Sequence, residues 1–312
     1  MGLSGESLPG YRDQPEFTFI CPNQPAAREA ALEHLEGSLR GSPFQGVFLD
    51  RIRFPSPAAA RPEHLACFCS HCHAAASRED LDLDAIQSTL AGSLAQPEAG
   101  QAFVASLFNC HPGRLSAGAL DAFLDFRQRS ITRLVLEASG VATSLGMAVG
   151  LDCFSPCLTR MVGQDLAELN RSCEWIKIMT YTHTLAPAGL PFELLGLADW
   201  LVSHSRMTPR QALLCLADAS GLPLPGNLSE IRADGLPAEA ITAEIRLGRS
   251  LGVERLFAGA ALVDLPGVNS ASAGQHAADL TACRSAGADG WVLSWDLWHI
   301  SPARLEQVAR FL

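Results

Sequence analysis

Lysine is almost missing from this 312-residue chain: of its 23 basic residues only Lys177 is a lysine, and the rest are arginine. Chain-wide exchange of lysine for arginine reflects genome base composition, so the one lysine that survives it marks Lys177 for attention. Positive charge is short as well. Thirty-three acidic residues leave a net charge of −10, which argues against nucleic acid or an anionic membrane surface as partner, because both select clustered Lys and Arg. No apolar run approaches the ~18 residues that span a bilayer. The N-terminal MGLSGESLPGYRDQPEF has neither the basic start nor the apolar stretch of a secretion signal, and the Met-Gly-x-x-x-Ser pattern of myristoylation fails at Glu6. Internal repeats and low-complexity tracts are lacking too. These absences describe a cytoplasmic chain, in which ten cysteines are expected as thiols or metal ligands and not as disulfides. What is present is globular: 48% apolar residues and a mean hydropathy of +0.14, enough for a large core.

Short apolar runs rich in β-branched residues alternate with helical patterns along the chain. The strand expectations are 17–23, 46–55, 145–155, 174–184, 255–264 and 290–299, with helices over 25–39, 117–139 and 302–311. Sustained alternation of this kind predicts a parallel sheet. Functional-looking residues at the strand C-terminal ends favour a (β/α)8 TIM barrel, which builds its sites there. Six strands are two short of eight, and the residues before Phe17 cannot supply two βα units of ~30 residues each. The chain is then either an open sheet or, the favoured reading, one domain over 1–312 folded as a barrel lacking its first two βα units, with an irregular cysteine-rich insertion over 56–116. Pro/Gly-rich 184–191 and 220–227 read as loops over the barrel mouth.

Alternation places Trp175, Lys177, Met179, Tyr181 and His183 on one face of their strand and the apolar Ile176 and Ile178 on the other. The apolar face must meet the helices, so Lys177, Tyr181 and His183 point inward, where an ammonium needs a partner. Three carboxylates end apolar runs: Asp50, Asp152 and Asp296. Each alone reads equally well as a helix cap. Together, at one level of a barrel, they offer the carboxylate pair that glycoside hydrolysis requires. Asp50 and Asp152 are the expected catalytic pair; Lys177, Tyr181 and Asp296 would orient and charge-match them and, with Arg53 and His183, bind the substrate. Trp295 and Trp298 would form a stacking floor for a sugar ring, although each is as readily a core aromatic.

Cys67, Cys69 and Cys72 form C-x-C-x2-C, one ligand short of tetrahedral zinc. Cys21 ends the preceding strand on the same rim, and His71 and His73 are rival fourth ligands; an iron–sulfur centre is a second reading of the same sulfurs. Cys110, Cys153, Cys157, Cys173, Cys215 and Cys283 are scattered and read as buried thiols. The pairing of 21-CPNQPAAR-28 with 67-CFCSHC-72 resembles the zinc-binding β-galactosidases of glycoside hydrolase family 42, and 46-GVFLDRIRFPSP-57 is similar to the G-x-x-L-D-Y-I-R-Y-P of uncharacterised glycoside-hydrolase-like barrels. The resemblance implies a TIM barrel, a carbohydrate substrate and a structural zinc held by Cys21, Cys67, Cys69 and Cys72, with 17–23 as the third barrel strand. The chain departs from that family in carrying Asp50-Arg51 where Asn-Glu stands, and in offering only Asp264 near the nucleophile's strand.

Three functions are compatible with these residues. The first is a glycoside hydrolase or related carbohydrate-active enzyme. The second is a Schiff-base aldolase using Lys177, which lies in the strand where such aldolases carry their lysine. The third is a catalytically silent, zinc-stabilised barrel that binds a glycan.

Overall fold

The computed structural model describes residues 1–8, 10, 18–60, 64–109 and 118–311. Five strands form one sheet: β1 (Gly46–Leu49), β2 (Ala148–Cys153), β3 (Trp175–Ile178), β4 (Leu256–Ala261) and β5 (Gly290–Ser294). They pair in sequence order, all parallel, and the sheet curls into a half-barrel. Helices fill the connections. Before and after β1 come α1 (Pro25–Leu39), α2 (Pro57–Ala60), α3 (Ser70–Ser77), α4 (Leu83–Leu94), α5 (Gly100–Ser106) and the long α6 (Ala119–Ser144). Beyond β2 lie α7 (Leu166–Leu169), α8 (Leu190–His204), α9 (Pro209–Ser220), α10 (Leu228–Asp234) and α11 (Glu239–Ser250). The chain closes with α12 (Ala273–Ser285) and α13 (Pro302–Ala309). No described helix is long and apolar enough to cross a membrane.

One side of the sheet is purely apolar. Val149, Leu151, Ile176, Ile178, Leu256 and Ala258 are all buried, and α6, α11 and α12 contact these strands. The other side is graded by layer. Deepest in it, large rings alternate with glycine: Phe48 and Trp175 stack at 5.0 Å across Gly150, and Trp175 meets Phe257 edge-on at 5.2 Å. A Cβ on Gly150 would come within 2.3 Å of the Trp175 ring, so only glycine lets that ring lie down. One layer higher, at the strand ends, the side chains become polar, and the candidate site begins.

Two expectations need correction. Phe17 lies outside the described residues, and the rest of the first expected strand, Thr18 to Asn23, pairs with no strand among the described residues. The segment is held by side chains instead: Cys21 reaches the sulfurs of Cys69 and Cys72, and Asn23 donates to Cys72 and Ser130. Pro22 has no N–H for a ladder. Between this segment, β1, α1 and α6 lies a cavity of about 450 Å³, walled by Phe19, Leu32, Leu35, Leu49 and Ile131. The insertion is helical where irregular chain was expected. Leu83, Ile86, Leu90 and Leu94 recur at helical spacing and are buried in α4, whose Asp82 caps the Ala85 N–H. Phe68 stacks on Phe123 of α6 at 4.4 Å, fastening the insertion to the main body. Its residues 61–63 and 110–116, Cys110 included, and Ala117 beside them lie outside the described residues.

Candidate active site and metal centre

Strand register alone brings the central pair together. Asp152 on β2 is the direct partner of Lys177 on β3, and Lys177 Nζ donates to Asp152 Oδ2 at 2.7 Å. The same ammonium donates to the Tyr181 hydroxyl at 2.5 Å, which in turn donates to Ser294 Oγ at 2.8 Å. All four residues are buried. Asp152 Oδ1 has no hydrogen-bond partner among the described residues. Burial pushes the Asp152 carboxyl up to about 6, against the pull of Lys177. Burial works the other way on Lys177, but Tyr181 and Asp152 outweigh it and raise its pKa. The two directions agree on which member titrates: the ammonium keeps its proton, and the carboxylate is where a further proton goes.

Room for this group comes from Gly259 on β4, where a Cβ would meet Lys177 Cε at 2.6 Å and Tyr181 Cε1 at 3.0 Å. Gly259→Ala should therefore displace the Lys177–Tyr181 pair and destabilise the protein by about 1–3 kcal/mol, as overpacking does. Thermal unfolding checks this, and an unchanged midpoint would mean the neighbours yield freely.

Asp50 follows β1 in line with Asp152, since Phe48 and Gly150 are register partners two residues earlier. Parallel neighbours lie about 5 Å apart, so the two aspartates share one corner of the strand ends. Asp50 is half exposed; it accepts from the Arg51 N–H at 2.6 Å and lies 3.9 Å from Arg51 Nε. Arg51 turns the chain with a positive φ of 59°. Arg53 then enters the interior, its guanidinium sandwiched between the rings of Phe19 at 4.6 Å and Phe154 at 4.3 Å and donating to the Phe54 carbonyl. Burial lowers its pKa to about 10, opposed by Glu193 and Asp50. Gln164, itself buried, receives the Phe154 N–H and donates to the Ile52 carbonyl at 3.5 Å, which ties the loop after β2 to the one after β1.

The other expected residues make no hydrogen bond to this group among the described residues. β3 ends at Ile178, so its two-residue alternation does not reach His183. That ring sits against α12 instead, 3.3 Å from Asp279 and bonded to the Asp234 carbonyl. Asp296 caps a short 3-10 turn, accepting from the Trp298 and His299 N–H groups and from the His299 ring. Trp295 and Trp298 are exposed, Trp298 almost completely at 94%, so neither is a core aromatic. Ser294 and Gly259 were not singled out in the sequence. Alternation from Gly290 through Val292 would have found Ser294; nothing local marks the close approach at Gly259.

The cysteines form a second centre, where the 18–23 segment meets the start of α3. The sulfurs of Cys21, Cys67, Cys69 and Cys72 all lie within 4.8 Å of one another. Cys21 is 3.4 Å from Cys72 and 3.6 Å from Cys69, far beyond the ~2.05 Å of a disulfide. Tetrahedral zinc with bonds of about 2.3 Å would set its sulfurs roughly 3.8 Å apart. An all-sulfur donor set of four at this spacing fits a soft metal ion. The rival ligands are elsewhere: His71 is exposed, and His73 pairs with Asp84 at 3.4 Å. Hydrogen bonding from Cys21 lowers Cys67 to about 6 and lowers Cys69 as well, while Cys21 and Cys72 are raised. Of the scattered cysteines, Cys153, Cys157, Cys215 and Cys283 are buried and Cys173 is half-buried.

No protein family and no curated protein matches the sequence. Among solved structures the chain is similar to the PgaB (BpsB) glycoside hydrolase domain from Bordetella bronchiseptica, at 13% identity and a TM-score of 0.48, over 94% of this chain and 62% of that one. It is also similar to a chitinase from Chromobacterium violaceum, at 11% identity and a TM-score of 0.31, over 91% and 94% of the two chains.

Proposed function

We propose that the protein is a glycoside hydrolase, or a close carbohydrate-active relative, working on one domain of barrel type. The observation that carries this reading is Asp152: a buried carboxyl at a strand end, raised to about 6 and with one oxygen free, beside the half-exposed Asp50. Two carboxyl groups in unlike surroundings are the arrangement that divides acid from nucleophile. Asp152, protonated, donates to the departing glycosidic oxygen. Asp50 attacks or stabilises the sugar carbon. Lys177, Tyr181 and Ser294 hold Asp152 in place, and Arg53 stiffens the base of Asp50. The exposed Trp295 and Trp298 supply apolar faces against which a sugar ring can lie.

A panel of zinc-loaded assays with activated aryl glycosides tests the reading. A general acid works in its protonated form, so kcat/KM for glycosides with poor leaving groups should fall as pH rises through about 6, the value to which burial lifts Asp152, and less steeply for the activated ones. Turnover of none of the panel would sink the enzyme and leave the silent glycan-binding barrel. The aldolase alternative needs a neutral amine. Lys177 instead donates to two acceptors and has a raised pKa. Borohydride added with keto-acids or sugar phosphates should leave the protein mass unchanged, and an adduct at Lys177 would restore that alternative.

The metal at Cys21, Cys67, Cys69 and Cys72 is zinc on this reading, and its role is structural. Four thiolates leave no coordination position for substrate. When bound it supplies a cross-link and no chemistry.

A further inference from the structure

Arg127, in the first half of α6, is a buried cation with no carboxylate partner among the described residues. The residue is 0% exposed. Its guanidinium lies 4.6 Å from the Phe54 ring centre and 5.8 Å from that of Phe123, and Nη1 donates to the Met161 carbonyl at 2.8 Å. Nε and Nη2 have no hydrogen-bond partner among the described residues. Two contacts set the cysteine centre against this stretch of α6: Phe68, between Cys67 and Cys69, stacks on the Phe123 ring that Arg127 faces, and Asn23 joins Cys72 to Ser130, three residues along the helix. Burial lowers the Arg127 pKa to about 9, and Cys67 and Cys72 oppose that shift. Other positive or donating groups converge on the same sulfurs. The Asn23 amide donates to Cys72 at 3.4 Å, and the Met1 amino group lies 3.5 Å from Cys67.

A divalent ion bound by four thiolates keeps two net negative charges. Buried negative charge needs a counter-charge, as buried positive charge does. Each side of that pairing lacks its partner unless the two are taken together. We infer that Arg127 is the counter-ion of the cysteine centre: it neutralises part of the excess charge of the metal–thiolate group and raises its affinity for metal, while the metal-free protein carries it as an uncompensated cation. The inference rests on the metal reading above. Arg127 is a positioning residue and touches no substrate.

The contrary view is that Arg127 serves packing alone, through Phe54 and the Met161 carbonyl. A cycle on the full chain separates the two. Arg127→Met should bind zinc about 10–100-fold more weakly in competition with a chromophoric chelator, the loss usual for partners just outside the ligands. With cobalt, the thiolate-to-metal absorption band should need correspondingly more ion to develop. Arg127→Lys, which keeps the charge, should recover most of the affinity. In a Cys69→Ser background, which lacks the full ligand set, adding Arg127→Met should leave the thermal midpoint unchanged or higher. Wild-type affinity in Arg127→Met overturns the inference and leaves the metal reading standing. So does an equal fall in midpoint in both backgrounds, or a double variant that no longer folds, since either makes the role one of packing. A wild-type protein that takes up neither zinc nor cobalt overturns the metal reading and this inference with it.

Discussion

Asp50→Asn should cut the turnover of an activated aryl glycoside by roughly a thousandfold or more, the scale on which a reacting carboxylate contributes, while the melting temperature stays where it is. Folding is insensitive because Asp50 is half exposed and, among the described residues, its bonds run to the adjacent Arg51 alone. The same change at Asp152 should behave differently in two respects. Substrates with good leaving groups should be spared relative to poor ones, because a departing group that is already acidic needs little protonation. The fold should also weaken, since Lys177 then keeps a buried ammonium whose anion is gone; breaking such a pair costs on the order of 3–5 kcal/mol. Paired measurements of kcat/KM across a leaving-group series and of thermal unfolding test both halves. Equal losses on good and poor leaving groups would contradict the acid role of Asp152. Full activity in Asp50→Asn would end the mechanism.

That Asp152 and Lys177 meet was legible in the sequence. Both sit on the polar face of otherwise apolar strands, and a charge in that setting has to find an opposite charge; strand alternation then fixes the side. The α1 helix is legible for similar local reasons: Gln24 accepts from the Ala27 N–H and Pro25 opens the first turn. Failures occur where pairing or close approach decides the outcome. Thr18, Phe19 and Ile20 have the composition of a strand, yet ladder formation depends on a partner edge, and Cys21 and Asn23 are bound elsewhere. The alternation through His183 looked continuous because nothing in the letters says that β3 stops at Ile178. Arg51 takes a left-handed turn without a glycine to announce it. Gly259 is small for reasons that lie on two other segments.

The cysteine centre should show its weight when one ligand is removed. Cys69 is half-buried, so Cys69→Ser takes away little packing, and most of the resulting loss of stability reports the metal. The purified wild type should hold about one zinc per chain, the stoichiometry of a four-thiolate site, and the variant close to none. At free zinc a thousandfold above Kd, binding stabilises the native state by about 4 kcal/mol, which for a chain of this length is a fall in midpoint of roughly 6 °C. The damage should be local first. Cys21 tethers Thr18 to Asn23, which no strand ladder among the described residues holds, and Phe19 in that segment covers the Arg53 guanidinium beside Asp50. Hydrogen exchange should therefore accelerate in 18–23 and 64–77 before it does in β2 and β3, and activity should fall together with the covering of Arg53. His73→Ala is the control, because that ring pairs with Asp84 and not with the sulfurs; it should leave zinc content and midpoint near the wild type. Zinc retained in Cys69→Ser but lost in His73→Ala would reassign the fourth ligand, and zinc absent from wild type prepared without chelator would remove the centre altogether.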